Sequence, residues 1–468
     1  MKRLIGVIVF SILSLYLQAI EIDSGFAEYK NQCVLLKDNA CLKNEWGKIA
    51  AQEIQLYLDK KNLKLPVQAI CKNHVCVFFT KGGQLTCDSI TFDYLKLEGQ
   101  IEGKKEAEYK QDFFDKITGK AIPFFLKSPH IVFHLDNKSD LQTALDHLTA
   151  KNVVVQYRDY ELQADNCIFV QNEEFAPHGK ITLSSQVKDC LVKKENITIN
   201  CSKVEIDTYN SLVTFYKPSG FYKKENLESI YLESDQFLWD EGLQTATFLG
   251  NTSVKDPGYG KIFSEEKLVI CVNDKKIRTI SIHGKAKVEV GENEEEPLHQ
   301  LHSYGTIEID YDKGELKAKS PLGKEELQLV LEDYSGKASA DDWLITYETI
   351  DKIKIKAMQL EGNVKIIHKA FTTDIFRYVI ADFGKVNLQT QEIAFSALPK
   401  KKVLFVDHLK SLEMSAPELK ISKDPLTLQE KIIGKGVVRF NLVEQELELM
   451  RKRFDLKKGW EKKNVNGK

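Results

Sequence analysis

From Pro66 onward the apolar residues recur at every second position, the spacing of a half-buried β-strand, and the pattern persists almost to the C-terminus. Several of these strands carry an interior glycine, which weakens a strand by packing nothing and by losing more backbone freedom than other residues. The glycines nonetheless recur in register. Leu97-x-Gly99-x-Ile101 is matched by Phe248-x-Gly250-x-Thr252-x-Val254, Ile282-x-Gly284-x-Ala286-x-Val288 and Leu360-x-Gly362-x-Val364-x-Ile366. Gly179-x-Ile181-x-Leu183 and Ile432-x-Gly434-x-Gly436-x-Val438-x-Phe440 are looser copies. In each, apolar or small residues share one face, while polar residues such as Glu361, Asn363 and Lys365 occupy the other. The pattern predicts sheets dry on one side and wet on the other, with glycine where a curved sheet bends or another backbone approaches.

A second motif precedes most of these strands: "LTCD" (85–88), "LQAD" (162–165), "LESD" (232–235), "ASAD" (338–341) and "VIAD" (379–382). A short carboxylate at a strand entry accepts hydrogen bonds from nearby backbone N–H groups and fixes a turn. Catalysis or calcium binding is the competing reading, but a carboxylate that recurs in every repeat is not singled out as a catalytic acid would be. With further strands between the glycine strands, the self-similarity has a period of roughly 35 to 40 residues, the mark of a stack of hairpins. One segment breaks the pattern. In residues 43–62, KNEWGKIAAQEIQLYLDKKN, the residues Trp46, Ile49, Ala50, Ile54, Leu56 and Leu58 fall near helical spacing and predict a short N-terminal helix.

Composition narrows the class. The 66 basic and 68 acidic side chains nearly cancel, which leaves no field to attract nucleic acid. Residues 1–19 have a basic start (Lys2, Arg3), an uncharged apolar run from Leu4 to Leu17 and a small residue, Ala19, at a cleavage position. This is the layout of a secretory signal; an uncleaved membrane anchor is the alternative. The expected setting is therefore periplasmic. The nine cysteines (33, 41, 71, 76, 87, 167, 190, 201 and 271) suit disulfides in an oxidising compartment, with Cys33–Cys41 and Cys71–Cys76 the nearest in sequence. Buried free thiols are the plainer alternative. No C-x-x-C pair occurs. The histidine pairs His130/His134 and His299/His302 lack a third ligand nearby, so no metal site is expected. Neither a nucleophile elbow, a P-loop nor a dinucleotide fingerprint is present, and no cofactor is expected.

The stretches "YLESDQFLWDEGLQTATFLGNTSVKDPGYGKIFSEEKLVICV" (231–272) and "KASADDWLITYETIDKIKIKAMQLEGNVKII" (337–367) carry both motifs. "YVIADFGKVNL" (378–388) with "LEMSAPELKIS" (412–422) and "IIGKGVVRFNL" (432–442) supplies a third copy. This combination resembles the OstA-like family of lipopolysaccharide transport proteins, which includes LptA, LptC and the N-terminal periplasmic domain of LptD. The resemblance covers residues 70–445 and is densest beyond 225. It implies an all-β fold, an elongated twisted β-jelly-roll of repeated antiparallel hairpins. It further implies an apolar groove for acyl chains, and partners in the Lpt bridge joined by edge-strand augmentation, with self-association by the same route. The function implied is transport of lipopolysaccharide between membranes, without enzymatic activity. The lipid-facing residues would be Phe248, Val254, Ile282, Val288, Leu360, Val364, Ile366, Val438 and Phe440; the alternative for each is an ordinary β-core residue.

The chain departs from the family in its length, as though two modules were joined, and in the cysteine-bearing segment 20–65. The expected organisation is a signal peptide (1–19), a helical cysteine-containing segment (20–65), a divergent OstA-like module (66–225), an OstA-like jelly-roll (226–450) and a basic tail (451–468). Two rival readings share the hairpins. A secreted β-solenoid scaffold or adhesin would fill its interior with side chains, and a β-rich carbohydrate-active enzyme would set two carboxylates across a cleft.

Overall fold

In a computed structural model of the chain, alternation of apolar and polar residues translates into antiparallel strands almost throughout. The structure describes residues 20–456, apart from 64, 117, 137–143, 173, 187, 224–228, 257–259, 274–275, 291–298, 322–328, 334–335, 350–352, 370–375 and 424–428. The chain divides into two compact units. Unit 1 comprises Met1–Tyr222 with Gln236–Leu243, and unit 2 comprises Lys223–Asp235 with Gln244–Lys468. The fold is all-β and jelly-roll-like, as the alternation predicts.

Unit 1 is a meander of long strands, among them Cys33–Asn44, Gly47–Leu58, Pro66–Phe79, Glu98–Phe114 and Ala121–Asp136. Most bend at a mid-strand irregularity, for instance between Lys37 and Ala40 or between Lys72 and Val75. At two of these bends, consecutive residues (Asp38 and Asn39, Asn73 and His74) take left-handed backbone angles, which Asn, Asp and His tolerate better than most. The apolar faces meet in one continuous core running from Val34 to Phe215. Tyr109, Tyr157, Phe92, Phe113, Phe124, Phe133, Phe169 and Phe215 are fully buried in it. Gly99 is there for want of space: a Cβ on it would lie 2.2 Å from the ring of Phe133.

The helix expected over 43–62 does not form. Residues 43–58 belong to the strands Cys33–Asn44 and Gly47–Leu58, joined at Glu45–Trp46, and 59–62 lie in the connection that follows. The buried positions Ile49, Ala51, Ile54, Leu56 and Leu58 follow a period of two except for one longer step. That step sits at a register shift between Ala50 and Glu53, which imitates helical spacing. The same extended geometry removes both nearest-neighbour disulfides. Cys33 and Cys41 lie on one strand, as do Cys71 and Cys76. At about 3.3 Å per residue, neither pair comes within the 7 Å that a disulfide needs.

The helix among the described residues lies elsewhere, at Glu444–Phe454, inside what reads from sequence as jelly-roll and basic tail. Glu444 and Glu446 open it, while Arg451, Lys452 and Arg453 close it, each complementing the helix dipole. Met450, Leu447 and Phe454 pack on Tyr378, Leu404 and Val406. This explains why the strand Val403–Asp407, VLFVD, is buried on both faces. The tail is thus docked as far as Phe454; residues 457–468 and the leader 1–19 lie outside the described residues.

Candidate functional site

In unit 2 the chain crosses repeatedly between two sheets. Sheet I contains Thr245–Leu249, Lys267–Asn273, Lys276–His283, Thr306–Asp310, Glu315–Lys319, Asp342–Thr349, Glu392–Ser396, Glu418–Lys423 and Glu430–Lys435. Sheet II contains Ile230–Glu233, Thr252–Asp256, Gly260–Ser264, Ala286–Val290, His299–Ser303, Leu329–Asp333, Gly336–Ala340, Val403–Asp407, Leu412–Ala416 and Arg439–Phe440. Two long strands, Ile353–Lys369 and Phe376–Asn387, run through both sheets. His299 and His302, which read as loop residues, thus lie on a strand.

The boundary between the sheets is a crease, and both sequence motifs sit on it. Asp235 accepts hydrogen bonds from the backbone N–H (2.8 Å) and side-chain amide (3.1 Å) of Asn251. Asp341 accepts one from the Asn363 amide at 2.8 Å, and Asp382 one from the Leu398 N–H at 2.8 Å. In unit 1, Asp165 receives the Gln186 N–H at 3.0 Å. These carboxylates fix corners, as the turn reading expects. Gly362 has φ +74°, and a Cβ on it would stand 2.5 Å from the Asp341 carboxylate; Gly250 repeats the arrangement against Asp235. Small residues line the crease, including Ser234, Thr252, Ser264, Ala286, Ser303, Ala340 and Ala381, all buried. Backbone bonds such as Gly284 N–H to the Gly305 carbonyl (2.8 Å) and Asp341 N–H to the Gly362 carbonyl (3.0 Å) carry the ladder through it.

Directly opposed residues in antiparallel strands share a face, so register gives the inner surface. In sheet I one row runs Phe248, Leu268, Ile282, Ile307, Ala318, Trp343, Leu360, Gly384, Phe395, Leu419, Gly434. The next row, farther from the crease, runs Ala246, Ile270, Ile280, Ile309, Leu316, Ile345, Met358, Val386, Ile393, Ile421, Ile432. In sheet II the row is Leu232, Val254, Ile262, Val288, Leu301, then across the strand Leu329–Asp333 to Ala338, Ile366, Val379, Phe405, Met414, Phe440. No row contains a charged or hydrogen-bonding side chain apart from the indole of Trp343. The two faces meet at the C-terminal end, where a Cβ on Gly434 would stand 3.1 Å from the Met414 sulfur.

Burial is nearly complete next to the crease and uneven beyond it, where Ala246, Ile280, Ile345, Val386 and Ile421 are buried but their row neighbours are not. Phe248, Leu268, Ile282, Ile307, Trp343 and Leu360 are buried. In the outer rows Ile270, Ile309, Leu316, Val254, Ile262, Val288 and Ile366 keep part of their surface open. Packing is tight at the crease and incomplete beyond it, and the partly open apolar surface between the rows is termed the trough. The residues singled out from sequence divide accordingly. Phe248, Ile282, Leu360 and Val364 form the buried floor; Val254, Val288 and Ile366 line the accessible wall; Val438 is half-buried. Phe440 is in register with Met414 but 64% exposed, because its two-residue strand is the last in sheet II. Sequence reading missed the outer sheet I row, whose signal is the second alternate position in each strand. A cavity of about 870 Å³ in this unit is lined mainly by the opposite, polar face of sheet I, among Glu308, Lys317, Gln359, Lys385, Glu392 and Lys420, and also by Trp343, Leu360 and Phe395.

Register also pairs two cysteines far apart in sequence. In unit 1, Cys190 and Cys201 are direct cross-strand partners and both are buried. Hydrogen bonding from Cys201 lowers the Cys190 thiol below its ordinary value, and the same contact with burial raises Cys201.

No family model matches the chain, and no curated protein matches it. Among solved structures it is similar to LptH from Pseudomonas aeruginosa, described as the LptA-homologous periplasmic component of the conserved lipopolysaccharide transport device. That match has 6% identity and a TM-score of 0.22, and covers 30% of this chain and 97% of LptH. A likeness at that level says nothing of a ligand.

Proposed function

We propose that unit 2 is a lipid-binding module that shelters acyl chains of lipopolysaccharide in its trough, as one element of a bridge between the inner and outer membranes. The observation that carries this reading is the set of apolar rows in which Ile270, Ile309, Leu316, Val254, Ile262, Val288 and Ile366 keep part of their surface accessible to solvent. Buried methylenes gain about 0.8 kcal/mol each, so a chain of about a dozen carbons needs on the order of 10 kcal/mol of shelter. The sheet II row crosses eleven strand spacings. At about 4.8 Å each these make about 50 Å of apolar wall, of which the C-terminal members Val379, Phe405 and Met414 are buried where the two faces meet. The Asp and Gly-Asn motifs that build the creases are the sequence features that resemble the OstA-like family. The terminal strand Arg439–Phe440, with Val437 and Phe440 exposed beside it, offers backbone groups to another strand, which suits edge-to-edge assembly with bridge partners or a second copy. This setting is periplasmic and the role is not enzymatic.

The scaffold reading retains support in unit 1, whose fully buried aromatics make a packed interior. The test is to purify the exported protein from the cell envelope under mild conditions and identify bound lipid by mass spectrometry. The expected finding is lipopolysaccharide, reduced by Ile366→Asn. Recovery without lipid, or with equal lipid in the variant, contradicts the proposal.

A further inference from the structure

Beyond the apolar rows, each sheet of unit 2 has an inward-facing row at its lip, and at one point the two lips are joined by charge. Arg377 lies two residues beyond Val379, on the same face of sheet II, and is in register with Asp407. Glu430 lies two residues before Ile432, on the inward face of sheet I. The Arg377 guanidinium donates to both Glu430 oxygens, at 2.7 and 2.9 Å, from a position 53 residues away in sequence. Arg377 also stands 3.0 Å from the fully buried Asp407 carboxylate, and Lys410 donates to Glu430 at 2.6 Å. Asp407 in turn accepts the N–H groups of Leu409 and Lys410, which holds it in its turn.

We propose that the Arg377–Glu430 pair is a strap across the mouth of the trough, which sets whether an acyl chain can occupy the C-terminal end. This inference rests on the lipid-trough reading. A planar guanidinium gripping a carboxylate at two points fixes separation and orientation together. It therefore holds the lips of sheets I and II at one spacing over Ile432, Met414 and Phe405. The strap is built to be removable. Arg377 and Glu430 are both partly exposed, so water and salt reach them. When they part, Arg377 keeps Asp407 and Glu430 keeps Lys410, so neither charge is stranded.

The experiment places a photo-activatable side chain at Val288, far from the strap, or at Ile432, beneath it, in the full-length protein, and offers radiolabelled dodecanoate. The ratio of capture at Ile432 to capture at Val288 is measured in the native background, in Glu430→Gln and in Glu430→Asp. The strap predicts that Glu430→Gln raises this ratio roughly tenfold, the consequence of losing one charge-assisted pair, and that Glu430→Asp returns most of it. Raising sodium chloride moves the native protein toward Glu430→Gln, a readout that needs no substitution. An unchanged ratio in Glu430→Gln and at high salt overturns the strap while leaving the trough intact. Absence of capture at both positions in the native background overturns the trough reading, and the strap with it.

Discussion

Replacing Gly362 by alanine isolates what the crease demands of the chain. The residue sits at φ +74°, and the added Cβ would stand 2.5 Å from the Asp341 Oδ2 and 3.0 Å from its Cβ. Left-handed backbone costs a residue with a Cβ about 1–2 kcal/mol. Pushing the Asp341 carboxylate aside also loses its hydrogen bond from Asn363, worth about 1 kcal/mol. The expected loss is about 2–3 kcal/mol, or about 5–10 °C in melting temperature for a unit of this size. Gly119 supplies the control: its φ is +67°, but nothing lies within 4 Å of the place its methyl group would take. Gly119→Ala should therefore cost only the backbone part, about 1 kcal/mol. Scanning calorimetry, following the transition of the unit that carries each change, separates the two. Equal losses for both variants would show that the Asp–Gly contact contributes nothing, and the account of the crease would be wrong.

Two further outcomes follow from named contacts. Incubation of the reduced protein with oxidised glutathione should crosslink Cys190 to Cys201, because the lowered Cys190 thiol supplies the attacking thiolate and Cys201 faces it in register; peptide mapping that finds Cys33–Cys41 or Cys71–Cys76 instead contradicts the strand geometry. Burial acts to raise the Glu430 carboxyl, but hydrogen bonds from Arg377 and Lys410 outweigh it and hold the group below its usual range. A depressed carboxylate stabilises the fold above its unfolded pKa, and that contribution fades as pH falls through the folded value. The melting difference between the native protein and Glu430→Gln should accordingly be full at pH 7 and shrink below about pH 4; a difference that persists at pH 2 would contradict the ion pair.

Much of unit 2 was legible because its alternation is regular. Leu360, Val364 and Ile366 read as one dry face, and they are one, with Gly362 and Asn363 supplying the bend between sheets. The Asp and glycine motifs were visible separately. Their meeting was not, because Asp341 and Asn363 are brought together only by the return of a strand. The misread helix at 43–62 shows the limit of periodicity: a single bulge between Ala50 and Glu53 turns a period of two into something closer to helical spacing. Alternation was equally silent on the difference between the units. Dry faces that pack fully around Phe113 and Tyr109 and dry faces that stay partly open beyond Leu360 obey the same pattern, since side-chain volume decides between them. The Arg377–Glu430 strap has no local signature at all.

A lipid in the trough would meet only one side of the unit 2 sheets. Photo-activatable residues at Ile366 and at its neighbour Lys365, which belong to opposite faces of one strand, test it most directly in cells that make lipopolysaccharide. The trough predicts that lipopolysaccharide is captured from Ile366 and not from Lys365. Capture from Lys365 alone, or equally from both, would contradict it.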